Sequence, residues 1–294
     1  FPSTTASAIT SFGVGAAPSR HGILGYSVYD RESGLTRNLL TGWGEGFEAS
    51  TFQKLQTVSD MALESGVQSF TVGPGEYADS GFTQLNMSAA NYVPAKFFED
   101  RIEAVQTILA SKHASLTYLY FPELDSIAHS YGVASTEWLT KLEDLDSAIK
   151  SLATSLPKDC GLVVTADHGI VDVPQENQVH LDELEIPHLL AVTGDPRNTF
   201  LYFEPETDVQ ATKTLLEEQL ENKAVVATVQ ELQEAGWLSA EIENSKFLPD
   251  LYLIALSNFA CYHRSFCKPQ SLRMVGQHGS FSQTELSVPL IKFG

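Results

Sequence analysis

The chain has 294 residues, 43% hydrophobic and 19% charged, a balance that supports a buried core and excludes disorder as the main state. Eighteen basic against 37 acidic residues give a formal charge of −19, so long nucleic acids and anionic membranes are poor partners. Three cysteines, Cys160, Cys261 and Cys267, are too few for a disulfide framework. They read as reduced thiols and, with no run of about 18 apolar residues and no basic-then-apolar leader, point to a cytoplasmic address.

The first predicted element follows Phe1-Pro2-Ser3-Thr4-Thr5, where hydroxyls precede a small apolar stretch that reads as a helix starting near Ser7. A hydroxyl at a helix N-terminus lies among free N–H groups and the positive end of the dipole, where anions bind. Simple capping explains the same residues. Further helices are expected over 51–65, 95–111, 136–156 and 209–222, and strands over 67–72, 116–121, 162–165, 199–203, 224–228 and 251–255. Strands apolar on both faces and separated by helices imply an α/β protein with a mostly parallel central sheet and helices on both faces. Residues 1–173 and 250–294 are expected to form the core, and 174–249 a small α+β cap.

In such a sheet, ligands bind where loops leave the carboxyl ends of the strands. Asp125 and His129 follow one strand at a spacing of four, which puts them on one helical face. Asp167 and His168 follow the next strand and can serve one site only if that strand has already ended, a freedom Gly169 supplies. His278 lies between Gly276 and Gly279. Each cluster alone is an ordinary polar turn; together, Asp and His at three loops suit Zn²⁺, with Mn²⁺ the weaker fit. His21, His113, His180, His188 and His263 lack such partners and read as structural or surface residues. Trp43, Tyr77 and Phe82 are either base-stacking or packing residues.

The ordered motifs Phe1-Pro2-Ser3-Thr4-Thr5, Pro18-Ser19-Arg20-His21-Gly22-Ile23, Pro122-Glu123-Leu124-Asp125 with His129, Thr165-Ala166-Asp167-His168-Gly169 and Gly276-Gln277-His278-Gly279 resemble the alkaline phosphatase superfamily. The nearest group is the type I phosphodiesterase/nucleotide pyrophosphatase family, in its bacterial branch, and the resemblance runs from Phe1 to Leu290. It implies two zinc ions, one held by Asp125, His129 and His278, the other by Asp167, His168 and Thr5. Thr5 is similar to the family nucleophile, with Thr4 the competing assignment. The implied reaction is in-line attack on phosphorus, a phosphothreonine, and its hydrolysis, on a small phosphoester.

The family also carries an Asp upstream of the nucleophile, at the end of a first strand, so a longer protein preceding Phe1 is expected. A phosphomonoesterase or phosphonate hydrolase, and an inactive phosphate-binding relative, are the competing expectations. The sulfatase Cys-x-Pro-x-Arg motif and the Gly-x-Ser-x-Gly elbow are absent. Two dications beside three carboxylates and neutral imidazoles would leave a locally positive pocket in an acidic protein.

Overall fold

A computed structural model describes residues 1–44, 46–111 and 113–294. The first helix, Thr5–Val14, starts two residues earlier than Ser7, with Thr4 at the N-cap position. Thr4 does not cap it: its hydroxyl donates instead to Asp195 Oδ1 at 3.0 Å, so a tertiary contact, absent from local sequence, sets the helix start.

Gln68–Gly73 is the middle of three parallel strands, flanked by Asn91–Pro94 and Ser115–Leu119. Helix Phe98–Ala110 presents Ile102, Val105 and Ile108 at three-residue spacing, and they share a core with Val72 and with Leu152 of helix Thr136–Ser155. Leu162–Thr165 pairs antiparallel with Leu290–Phe293.

The strands of the second half pair differently. Ala224–Ala227, Leu251–Ala255, Asn198–Phe203 and Leu189–Asp195 lie in that order in a four-stranded sheet, each neighbour antiparallel. The α/β class therefore holds, in a mixed architecture in which the expected parallel arrangement is seen in part of the strands. Parallel pairing among the described residues is confined to the three strands above and the short pair Gln178–His180 with Ala260–Tyr262. The reason is connection length: only Pro196 and Arg197 separate Asp195 from Asn198, and a two-residue link closes an antiparallel pair alone. All six residues of Asn198–Phe203 are buried, so apolarity on both faces reports burial and not strand direction.

One face of this antiparallel sheet, through Phe200, Tyr202, Tyr252 and Ile254, packs on Ala6, Ile23, Leu24 and Val28 of the N-terminal region. The other lies under helix Val209–Leu220, where Leu216 and Leu220 meet Leu201 and Leu253. Leu251–Ala255 pairs with strands of segment 174–249, so a single sheet spans residue 249. Among the described residues no helix is long and apolar enough to cross a membrane. The three cysteines are free, and burial pushes the Cys261 thiol up to about 12.

Candidate active site

Helix Glu123–Tyr131 follows strand Ser115–Leu119 and carries Asp125 and His129 one turn apart. Their shared face places His129 Nε2 3.3 Å from Asp125 Oδ1. The third member arrives from far along the chain: Gly276–Gln277 pairs antiparallel with Val171–Asp172, which sets His278 Nε2 3.8 Å from the same oxygen. One ligand atom from each of Asp125, His129 and His278 lies within 4.8 Å of the others.

The second group forms beside the first. Strand Leu162–Thr165 ends before Asp167 and His168, which frees adjacent residues to serve one place. His168 Nε2 lies 3.1 Å from Thr5 Oγ1 and 3.5 Å from Asp167 Oδ2. Its ring stacks on that of His278, centroids 3.7 Å apart and planes within 19°, and so joins the two groups. Gly169 has no room for a side chain, because a Cβ there would lie 2.0 Å from the Thr284 carbonyl oxygen.

The three imidazoles are oriented alike. Nδ1 of His129 meets the Gly276 carbonyl at 2.7 Å, Nδ1 of His278 the Ser3 carbonyl at 3.0 Å, and Nδ1 of His168 the Gly169 carbonyl at 3.0 Å. A carbonyl only accepts, so each Nδ1 carries the proton and each Nε2 is turned toward the cluster as a lone pair when the ring is neutral. Burial, with the His168 ring next, holds His278 well below the usual histidine range, so it is neutral. Burial also opposes charge on Asp125, yet His129 one turn away outweighs it, and the carboxyl is held at about 2. On His129 burial is outweighed by Asp125, which raises its affinity for a proton. Asp125 Oδ1 is buried and accepts no well-formed hydrogen bond. Ionised carboxylate, inward-facing imidazole nitrogens and an orphaned buried oxygen are the donor set a zinc ion takes.

All six residues singled out in the sequence thus meet in one place. Asp195 was not among them. It is buried, accepts from Thr4 Oγ1 and, at 3.1 Å, from the Tyr26 N–H, and burial raises its carboxyl to about 6. Its sequence signal is Gly194-Asp195-Pro196, indistinguishable from a surface turn. Trp43 stacks on Phe47 and donates Nε1–H to the Leu39 carbonyl, and Phe82 packs on the same core cluster, so both are packing residues. Tyr77 instead lies beside Tyr120, ring centroids 6.3 Å apart. His21 is fully buried, with its ring against Ser11 Oγ at 2.9 Å.

Residues 1–281 match the family model for type I phosphodiesterase / nucleotide pyrophosphatase. The chain belongs to that family. Curated relatives include human and Pongo abelii bis(5'-adenosyl)-triphosphatase ENPP4, each 27% identical over 100 residues, 31% of this chain and 22% of theirs. GPI ethanolamine phosphate transferase 1 of Neurospora crassa is 28% identical over 141 residues, 45% of this chain and 14% of that protein. The matches thus span less than a quarter of these relatives' length. Among solved structures, murine ectonucleotide pyrophosphatase/phosphodiesterase 5 superposes with a TM-score of 0.79 at 18% identity, over 100% of this chain and 78% of that one. An inactive threonine-to-alanine variant of the mouse protein, in complex with AMP, gives 0.79 at 18%, over 100% and 77%. These likenesses establish the fold.

Proposed function

We propose that the chain is a two-zinc phosphohydrolase that cleaves phosphodiester or pyrophosphate bonds of small nucleotide-like substrates through a phosphothreonine on Thr5. The observation that carries this reading is the approach of Thr5 Oγ1 to His168 Nε2 beside the Asp125, His129 and His278 cluster. Asp125, His129 and His278 would hold one ion, and Asp167, His168 and Thr5 the other. When bound, the ions supply Lewis acidity: they lower the pKa of a coordinated hydroxyl and offset phosphate charge.

The protein's own groups do the rest. Thr5 lies in the first helical turn, where N–H groups without intrahelical partners attract a phosphoryl oxygen. Its oxygen attacks phosphorus in line: the Thr5 O–P bond forms as the bond to the ester or phosphate oxygen breaks, and the proton that Thr5 releases passes through solvent to that leaving oxygen. Water then attacks the same phosphorus: its oxygen stays on the released phosphate as the Thr5 O–P bond breaks, and one of its protons restores the Thr5 hydroxyl. Family membership supports the bond type, and the nucleotides named for the mouse and human relatives support an adenosine-bearing substrate. The acidic chain disfavours polymers.

The test is turnover by zinc-loaded protein of bis(p-nitrophenyl) phosphate, p-nitrophenyl phosphate and diadenosine triphosphate. Diester or pyrophosphate cleavage should exceed monoester cleavage and vanish in Thr5→Ala. Wild-type rates in Thr5→Ala would overturn the mechanism, and a faster monoester rate would move the reading to a phosphomonoesterase.

A further inference from the structure

Arg197 and Glu285 form an ion pair with no exposed side-chain surface. They meet through two hydrogen bonds, Arg197 Nε to Glu285 Oε1 and Nη2 to Oε2, each 2.8 Å. Further N–H groups of Arg197 donate to the carbonyls of Ser257 and Phe259, which fixes the guanidinium from its far side. Taking two charges out of water is costly, and a packed apolar pair would hold a core as well, so stability alone is a poor reason for such a pair.

What Glu285 touches supplies another. Its Oε1 also accepts from the Ser280 N–H at 3.0 Å, two residues past His278. Its Oε2 accepts from Ser282 Oγ. Its main-chain carbonyl accepts from the Gly169 N–H at 2.7 Å, one residue past His168, across the approach that leaves no space for a Cβ. Arg197, for its part, lies two residues from Asp195, which holds Thr4 beside Thr5. The segments that carry His168, His278 and Thr5 therefore all lead to one buried pair.

We propose that Arg197 and Glu285 are positioning residues that fix the spacing between the Asp167-His168 loop and the His278 loop, and thereby set the affinity of the site for zinc. This rests on the reading of the site as a zinc centre. Neither residue reaches the rings themselves; Glu285 acts through the Ser280 and Gly169 amides, and Arg197 through Glu285.

The experiment compares wild type, Glu285→Gln, the double variant Arg197→Met with Glu285→Leu, and Ser282→Ala. Zinc affinity is read by competition with a chromophoric chelator, folding by thermal unfolding without metal, and kcat and KM on bis(p-nitrophenyl) phosphate. Glu285→Gln and the double variant should lose about 10- to 100-fold in zinc affinity, the range for groups that orient metal ligands. Their kcat at limiting zinc should fall in step, with KM within about twofold. Ser282→Ala should lose about threefold.

The double variant leaves no buried charge unpaired, and Ser282→Ala carries the test if neither buried change folds. Folded variants that melt earlier but keep wild-type zinc affinity and kcat would assign the pair to the core and overturn the proposal. That result leaves the functional reading standing, whereas a wild-type protein that takes up no zinc overturns both.

Discussion

The two halves of the site are built by different means. Asp125 and His129 owe their proximity to one helical turn, and His278 joins them through a strand pair, so this half is a compact set of three side chains that could hold one ion. The half around Thr5 joins a helix start to a loop whose strand has just ended, and rests on one 3.1 Å contact and one 3.5 Å contact. In the first, local helix geometry enforces the Asp125–His129 pair, and only His278 arrives from a distant segment. The second depends on packing between distant segments, and it is the half that carries the hydroxyl. A pair fixed by local geometry beside a hydroxyl placed wholly by tertiary contacts gives the two halves different sensitivities to mutation.

Separating the halves by mutation is the sharpest way to break this comparison. Thr5→Ala should lower kcat by at least about 10³-fold, as loss of a nucleophile does, yet leave zinc binding at Asp125, His129 and His278 intact. Asp125→Asn should do the reverse in order of cause: zinc affinity falls by more than the about 100-fold that marks outer groups, and activity follows. Metal titration beside kinetics distinguishes the two, and equal loss of zinc in both variants would mean the halves are not independent.

A third, smaller effect keeps the stability of the fold apart from the chemistry of the site. His21 is buried, accepts from the Ile23 N–H at Nδ1, and burial pulls its pKa from 6.5 to about 4. The neutral ring is the folded form, so its contribution is fully present above pH 6.5 and is lost as pH falls toward 4. The loss amounts to about 3 kcal/mol. His21→Asn should flatten this acid limb in thermal unfolding; an unchanged limb would mean that other groups carry it. Smallest of all, Thr4→Val removes one donor from Asp195 and should cost about 1–2 kcal/mol in urea unfolding. Its kcat should drop less than that of Thr5→Ala, and the opposite order would make Thr4 the nucleophile.

Local pattern made much of this legible. Strands at Leu162–Thr165 and Leu251–Ala255 and the helix at Thr136–Ser155 fall where apolar spacing puts them. The helix expected over 51–65 divides into Ala49–Phe52 and Val58–Glu64, because Thr57 and Asp60 form a capping box that starts a new helix. The i, i+4 spacing of Asp125 and His129 needed no tertiary information. Sheet direction did, since burial on both faces hides it. Asp195, Arg197 and Glu285 were invisible for a related reason: Asp195 meets Thr4 across 191 positions and Arg197 meets Glu285 across 88, and neither contact leaves a periodic trace.

The carbonyl partners of the three imidazoles have a consequence for how such a site can change over generations. Ser3, Gly169 and Gly276 hold the rings through the main chain, a group every amino acid possesses. Ring orientation therefore draws on no side-chain chemistry at these positions, only on the path of the backbone, and at Gly169 and Gly276 that path requires the absence of a Cβ, which would lie 2.0 Å from the Thr284 carbonyl oxygen and 2.6 Å from that of Ala128. The Ser3 hydroxyl also donates to the Ser280 carbonyl and accepts from the Gly279 N–H, so its side chain ties the His278 loop to the same residue whose carbonyl orients the ring. The letters free to drift are therefore few: two glycines are held by lack of space and one serine by its hydroxyl, so the proton arrangement of the histidines is inherited together with its neighbours.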